Sequence, residues 1–184
     1  MTAKARKFPA LSTKRLTLRA PSLADASTYR VLFPEVTRFS NWPDVPSKAK
    51  VERGLRWMCK LFASGKGCAW IVEHRRSKAV VGVIRFNRID KKWQWGELGY
   101  ESHPDFWGKG LMTEAVKAVV ACGHDFFGLN RIEAWTLPGN TASDRVLEKT
   151  GFRYEGTLRE KARFKGGYHD FRMFGRLARD TTKP

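Results

Sequence analysis

Tyr100-Glu101-Ser102-His103-Pro104-Asp105-Phe106-Trp107-Gly108-Lys109-Gly110-Leu111-Met112-Thr113-Glu114-Ala115 joins a strand-like run to a helix-like run through a loop that carries two glycines. Beyond Gly110 the apolar residues Leu111, Ala115, Ala118, Val119, Cys122 and Phe126 recur at helical spacing, which predicts a helix starting beside the glycines. The first-turn amides of such a helix have no partner within it, and with the positive end of the helix dipole they attract phosphate. Glycines at this point keep Cβ atoms clear of a pyrophosphate lying on the backbone. An ordinary strand-to-helix turn carries the same residues, so the rest of the chain has to decide between the two readings.

Two further stretches bear on it: Asn140-Thr141-Ala142-Ser143-Asp144-Arg145-Val146-Leu147-Glu148-Lys149-Thr150-Gly151-Phe152, and Gly167-Tyr168-His169-Asp170. Taken in this order with Phe106 to Ala115, they resemble the GNAT superfamily of acyl-CoA-dependent N-acyltransferases, and within it the ribosomal-protein alanine N-acetyltransferase branch. The resemblance runs from Leu16 to Leu177. The family signature, Gln or Arg, two residues, Gly, one residue, then Gly or Ala, falls on Trp107 to Met112. Gly110 matches it. Trp107, usual in this branch, departs at one end, and Met112 stands where the signature has a small residue.

The resemblance implies a single α/β domain with a mixed, mostly antiparallel sheet flanked by helices, and acetyl-CoA as the cofactor. It implies that the backbone of Trp107, Gly108, Lys109, Gly110, Leu111 and Met112 holds the pyrophosphate. Leu98, Gly99 and Tyr100 would present free amides to the pantetheine and the acetyl carbonyl. Asn140 and Ser143 match the branch's second motif, in which the Asn contacts the cofactor and the Ser hydroxyl sits near its sulfur, placed to protonate the departing thiolate. Read from the residues alone, Asn140 is equally a helix cap and Ser143 a first-turn residue, positions both types prefer.

The base is open. Glu97 and Glu101 share one face of an alternating strand, downstream of Trp93 and Trp95, and either carboxylate can relay a proton from an amine through water. Glu97 is preferred. In the family the acceptor side is lined by two helices and their joining loop, where Trp42 could stack on a substrate; Glu101, Tyr168, His169 and Asp170 are further candidate acceptor-site residues. Each also has a structural reading, Trp42 as a packing plug beside Pro43 and the others as hydrogen-bonding or exposed strand residues.

Composition bounds these assignments. A chain of 184 residues suits one core and buries about 70% of the surface exposed when unfolded. The division expected is a basic tail over 1–12, the domain over 13–179 and a short tail over 180–184. No run approaches the roughly 18 apolar residues of a membrane span, so a cytoplasmic protein is expected, with no membrane partner. Cys59, Cys68 and Cys122 fit no paired spacing, and His74, His103, His124 and His169 lie far apart, so neither a disulfide framework nor a metal site is implied. The net charge of +17 attracts acidic ligands, nucleic acid or a ribosomal surface. Lys4, Arg6, Lys7, Lys14, Arg15 and Arg19 precede any acid, as in a nucleic-acid-binding arm or a solvated tail.

In chain order the pattern predicts a first strand at Arg15 to Arg19, a helix from Ser22 to Leu32, and a second from Ser47 to Phe62. An antiparallel meander follows over Cys68 to His74, Val80 to Arg88 and Lys92 to Glu101. After the central helix come a buried strand at Arg131 to Thr136, a short helix at Thr141 to Thr150 capped by Gly151, and two strands, Arg153 to Phe164 and Tyr168 to Leu177, paired across Lys165-Gly166-Gly167.

The acceptor follows from magnitudes. An α-amine of pKa near 7.7 is roughly one-sixth neutral at pH 7, whereas a lysine near 10.4 is neutral about once in 2,500, a gap of order 3.5 kcal/mol. A site without an obvious strong base therefore suits a protein or peptide N-terminus, a ribosomal protein among them. Small amines such as polyamines or antibiotics are the alternative acceptors. A non-catalytic acyl-CoA-binding module and an RNA-binding protein are the alternatives from other classes, and both monomer and homodimer fit the composition.

Overall fold

Eight strands form one sheet in the computed structural model, which describes residues 7–26, 37–40 and 47–180. In chain order they are β1 Leu11–Ser12, β2 Leu16–Arg19, β3 Cys68–His74, β4 Val80–Asp90, β5 Trp95–Ser102, β6 Arg131–Thr136, β7 Arg153–Phe164 and β8 Gly167–Leu177. The spatial order is β1-β2-β3-β4-β5-β6-β8-β7, and every neighbouring pair is antiparallel except β5 with β6. Among the described residues the α-helices are α1 Lys48–Leu61, α2 Leu111–Asp125 and α3 Thr141–Lys149. This is the mixed, mostly antiparallel α/β sheet that the sequence predicts.

The helices cover opposite faces. Val51, Leu55, Met58 and Leu61 of α1 pack on Ala69, Ile71 and Val83. On the other face Leu111, Ala115, Val116, Val119 and Val120 of α2 and Leu147 of α3 share the larger core with Trp70, Ile84, Phe86, Leu98 and Ile132. These are the 3.6-residue and 2-residue apolar periodicities meeting in one interior. Trp70, Phe86 and Phe127 meet edge to face, with ring centroids 5.9 to 6.5 Å apart.

Cys68 and Cys122 are buried in this core, and burial pushes both thiols up, that of Cys122 to about 11. Cys59, on the exposed side of α1, donates to the Pro21 carbonyl (3.3 Å) and is also raised, by desolvation and then by the charge of Asp25.

Three expectations shift. Phe8 and Leu11, assigned to the tail over 1–12, pack against the larger core, and Trp70 Nε1 donates to the Pro9 carbonyl (2.7 Å). The third strand of the meander starts at Trp95 rather than Lys92, because Asp90 Oδ1 accepts from the Trp93 amide (3.0 Å) and Gln94 adopts φ 51°, forming a turn. The helix expected from Ser22 opens as a 3-10 turn at Leu23–Asp25, and its continuation from residue 27 lies outside the described residues. Trp42 lies outside them too.

One carboxylate joins the central helix to the β1–β2 turn. Glu114, in the first turn of α2, accepts from Thr13 Oγ1 (2.6 Å), the Arg15 amide (2.9 Å) and Arg15 Nε (2.6 Å). Burial alone would raise its pKa, but these bonds and the Arg15 charge outweigh it, so the carboxyl titrates below its ordinary 4.5. The folded state therefore gains from this group above the ordinary value and loses the gain as pH falls through the lowered one. Glu114→Gln is expected to cost about 1–2 kcal/mol at pH 7 in a denaturant titration and to leave a shallower loss of stability between pH 5 and 3 than the parent shows.

Candidate active site

The parallel pairing of β5 with β6 is short. It holds Trp95 to Arg131, Gly96 to Ile132 and Glu97 to Glu133, and then stops. Beyond it β5 stays with β4 as far as Ser102 opposite Gly82, and β6 stays with β8 as far as Thr136 opposite Arg172. The two strands part, and among the described residues the edge of β5 from Leu98 to Tyr100 faces a gap with no strand partner on that side. Backbone donors and acceptors on such an edge are open to a ligand.

The strand that borders the gap leads through a short 3-10 turn, Pro104–Phe106, to the start of α2. Gly108 and Gly110 there adopt φ 71° and 69°, the left-handed region that favours glycine. A Cβ at Gly108 would meet nothing within 4 Å, and one at Gly110 only Arg15 Nη2 at 3.7 Å, so the space over the loop is open. Arg15 Nη1 donates to the Lys109 carbonyl (3.0 Å), and Trp107, half exposed, donates from Nε1 to the Ser102 carbonyl (3.0 Å). Met112 is buried with Leu111 in the core, so its bulk is packed away from the loop. Open space, two left-handed glycines, a helix N-terminus and the cations Arg15 and Lys109 fit a pyrophosphate.

The first turn of α3 bridges the gap. Tyr100 of β5 donates to the Ser143 carbonyl (3.2 Å), and its phenol oxygen lies 2.7 Å from Ser143 Oγ. On the other side Thr136 of β6 donates to Asp144 Oδ1 (2.6 Å), and Arg172 Nε of β8 donates to Asp144 Oδ2 (3.1 Å). Asn140 caps the helix, accepting from the Ser143 amide (3.2 Å), the structural role its residue type favours. Burial drives the Tyr100 phenol upward against the opposing bond to Ser143, which keeps it protonated at neutral pH.

The opposite face, toward α1, carries the carboxylates. Arg85 of β4 holds Glu101 with two bonds, Nη1 to Oε2 and Nη2 to Oε1 (2.8 Å), while Glu101 is only 9% exposed. Arg85 Nε donates to Asn87 Oδ1 (2.7 Å), and Asn87 Nδ2 donates to Glu97 Oε1 (2.9 Å). Asn87 occupies a β-bulge, since Phe86 pairs with Leu98 and Arg88 with Glu97, and the bulge turns its amide toward Glu97. Both of Glu101's oxygens are thus engaged by one guanidinium, whereas among the described residues Glu97 carries a single neutral donor, at the residue where β5 and β6 part.

The hairpin residues sit apart from this network. His169 Nε2 lies 3.0 Å from the Phe164 carbonyl, with its ring stacked on Phe164 (4.0 Å), and Asp170 Oδ1 accepts from the Glu160 amide (2.8 Å). Both brace the β7–β8 hairpin. Tyr168 is exposed on it, 5.8 Å from the Arg163 guanidinium. The residues missed by sequence reasoning are the second partners: Asn87 and Arg85 beside the carboxylates, the Tyr100 side chain beside Ser143, and Arg15 beside the glycine loop. Among the described residues no cluster of metal-ligating side chains occurs, and no helix is long and apolar enough to cross a membrane.

Residues 15–153 match the model of the acetyltransferase (GNAT) domain family. The uncharacterized N-acetyltransferase YoaA of Bacillus subtilis is 33% identical over 169 residues, 91% of this chain and 96% of YoaA. The ribosomal-protein-serine acetyltransferase of Escherichia coli is 25% identical over 138 residues, 74% of this chain and 76% of the enzyme. The solved structure of RimL, a ribosomal L7/L12 alpha-N-protein acetyltransferase in complex with coenzyme A, has the same fold, with a TM-score of 0.83 at 20% identity over 92% of this chain and 98% of its own. The splayed strands, the glycine loop and the family match agree: the chain belongs to the GNAT family of acetyltransferases, enzymes that draw their acetyl group from acetyl-CoA.

Proposed function

We propose that this acetyltransferase acts on the N-terminal α-amine of a protein or peptide, a ribosomal protein being the acceptor that its similarity to ribosomal-protein acetyltransferases supports. The observation that carries the reading is the pairing of Ser143 with Tyr100 at one side of the strand gap and the placement of Glu97 at the opposite face. A thioester acetyl group and an amine would then meet in the gap from opposite faces of the sheet. A ribosomal acceptor implies a cytoplasmic enzyme.

Acetyl-CoA, when bound, supplies an acetyl group activated as a thioester. The amides of Gly108 to Met112 and the positive end of α2 hold its pyrophosphate, with Trp107 fixing the loop to β5. Leu98, Gly99 and Tyr100 offer the free backbone edge for the pantetheine and carbonyl, which positions the acetyl carbon and stabilises developing negative charge. The Ser143 hydroxyl lies 2.7 Å from the Tyr100 oxygen at the edge of the gap, and once its proton turns toward the gap it can protonate the departing sulfur. Asn140 and Asp144 fix the turn that presents it.

Glu97 takes the proton released by the amine, directly or through one water, while Arg85 holds Glu101 in place beside it as a second acceptor-side carboxylate. A carboxylate is a modest base. It suffices for an α-amine, a useful fraction of which is neutral at pH 7, and not for a lysine.

Three experiments test this reading. Mass spectrometry of peptide and protein acceptors should find the acetyl group on the α-amine; acetyl solely on lysine or on small amines such as polyamines would overturn the acceptor assignment. Ser143→Ala should lower kcat by about 10²-fold or more while acetyl-CoA affinity holds, and Tyr100→Phe should lower it less, because the phenol acts through the serine. Calorimetric titration with acetyl-CoA should saturate in the parent and fail in Gly110→Val, whose β-branched side chain opposes φ 69°.

A further inference from the structure

A row of positive charge lies on α1 and the loops at its C-terminal end, and the groove it runs into borders the acceptor-side network at Asn87. Lys50, Arg53, Trp57 and Lys60 recur three or four residues apart, so they stand in one row on the solvent side of the helix, and all four are exposed. The row is about 15 Å long, ten residues at 1.5 Å each. It runs into a groove of about 830 Å³ lined by Trp57 and Lys60 and, across it, by Lys66 and Lys91. Lys91 Nζ lies 3.3 Å from where a Cβ of Gly65 would sit, which brings the β4–β5 turn over the α1–β3 loop.

Among the described residues these cations are unbalanced. The one acid of α1, Glu52, is taken by Arg56 (2.9 Å), and the one acid of the groove, Asp90, faces Arg88 (3.7 Å) and accepts from the Trp93 amide. Among the described residues, Lys50, Arg53, Lys60, Lys66 and Lys91 make no ion pair with a carboxylate. Clustering five like charges without counter-charge costs the folded protein energy that a bound polyanion returns. Trp57, 46% exposed in the middle of the row, adds a flat ring on which a base can stack.

We propose that this row and groove form a binding track for single-stranded RNA, with the lysines and Arg53 on successive phosphates and Trp57 stacked on a base. A regular spacing of cations around one aromatic ring fits a repeating phosphate backbone with interleaved bases, and an acidic peptide has no use for the ring. The track is separate from the glycine loop, which opens on the other face of the sheet, so RNA and acetyl-CoA are bound at the same time.

Fluorescence anisotropy of a labelled RNA about 12 nucleotides long, a length within the span of such sites, tests it on the full chain. Combined Lys60→Gln, Lys66→Gln and Lys91→Gln should weaken binding at least tenfold at about 100 mM salt and lower the slope of log K against log salt by about 2, near 0.7 for each lost contact. A control removing equal charge elsewhere, Lys117→Gln, Lys149→Gln and Lys161→Gln, should weaken it much less. Trp57→Ala should weaken it about tenfold with little change in the salt slope. Acetyl-CoA titration and thermal melting of every variant verify folding. Equal losses from both triple variants would assign the affinity to overall charge and overturn the proposal. So would no measurable RNA binding by the parent, or tighter binding of a poly-glutamate peptide that the track variants abolish.

Discussion

Parallel pairing between β5 and β6 ends at Glu97 and Glu133, and the site exists because it ends there. A continuous sheet would satisfy every amide from Leu98 onward and leave nothing for a ligand. Each strand is instead held from its far side, β5 by β4 and β6 by β8. The stacked Trp135 and Phe171 rings, 4.0 Å apart, strengthen the second of these pairings. Into the opening goes the first turn of α3, hydrogen-bonded to β5 through Tyr100 and to β6 through Thr136. The helix is a wedge that fixes the width of the opening, and the hydroxyl it carries is fixed with it.

The loop that leads to α2 is set by a second constraint. Its glycines have no side chains to hold them, so its position is imposed from outside, by Arg15 on the Lys109 carbonyl and by Trp107 on the Ser102 carbonyl. Glu114 lets Arg15 serve two ends of the same junction: one guanidinium binds the helix through its carboxylate and the loop through a carbonyl. A preorganised anion cradle follows from bonds made by residues that need not touch the anion themselves.

Much of this was legible in the sequence, and the division has a physical basis. The apolar spacing of α2, the strand alternation, the hairpin turn at Lys165-Gly166 and the capping of α3 by Asn140 are local, and local patterns can be read from neighbouring residues. The start of β5 lies three residues beyond the expected Lys92 because the turn before it depends on Gln94 in a left-handed conformation, which composition does not announce. Glu97 and Ser143 can be named as candidates from the sequence, but their partners cannot. Asn87 reaches Glu97 only because a bulge shifts the β4–β5 register, and Tyr100 reaches Ser143 across 43 positions of sequence. Glu101 shows the same limit from the other direction. It alternates with Glu97 as an equal, and only the fold places Arg85 against both its oxygens.

The buried cysteines give the chemistry a protection that has nothing to do with binding. An enzyme built to hold an acetyl thioester exposes its own nucleophiles to acylation, and a thiolate is the best of them. Cys68 and Cys122 lie in the apolar core, and all three thiols titrate above their ordinary value. Kept as neutral S–H groups, they exchange poorly with a thioester, since only the deprotonated sulfur attacks. The interior that stabilises the sheet thus also keeps Cys68 and Cys122 from competing with the amine for the acetyl group.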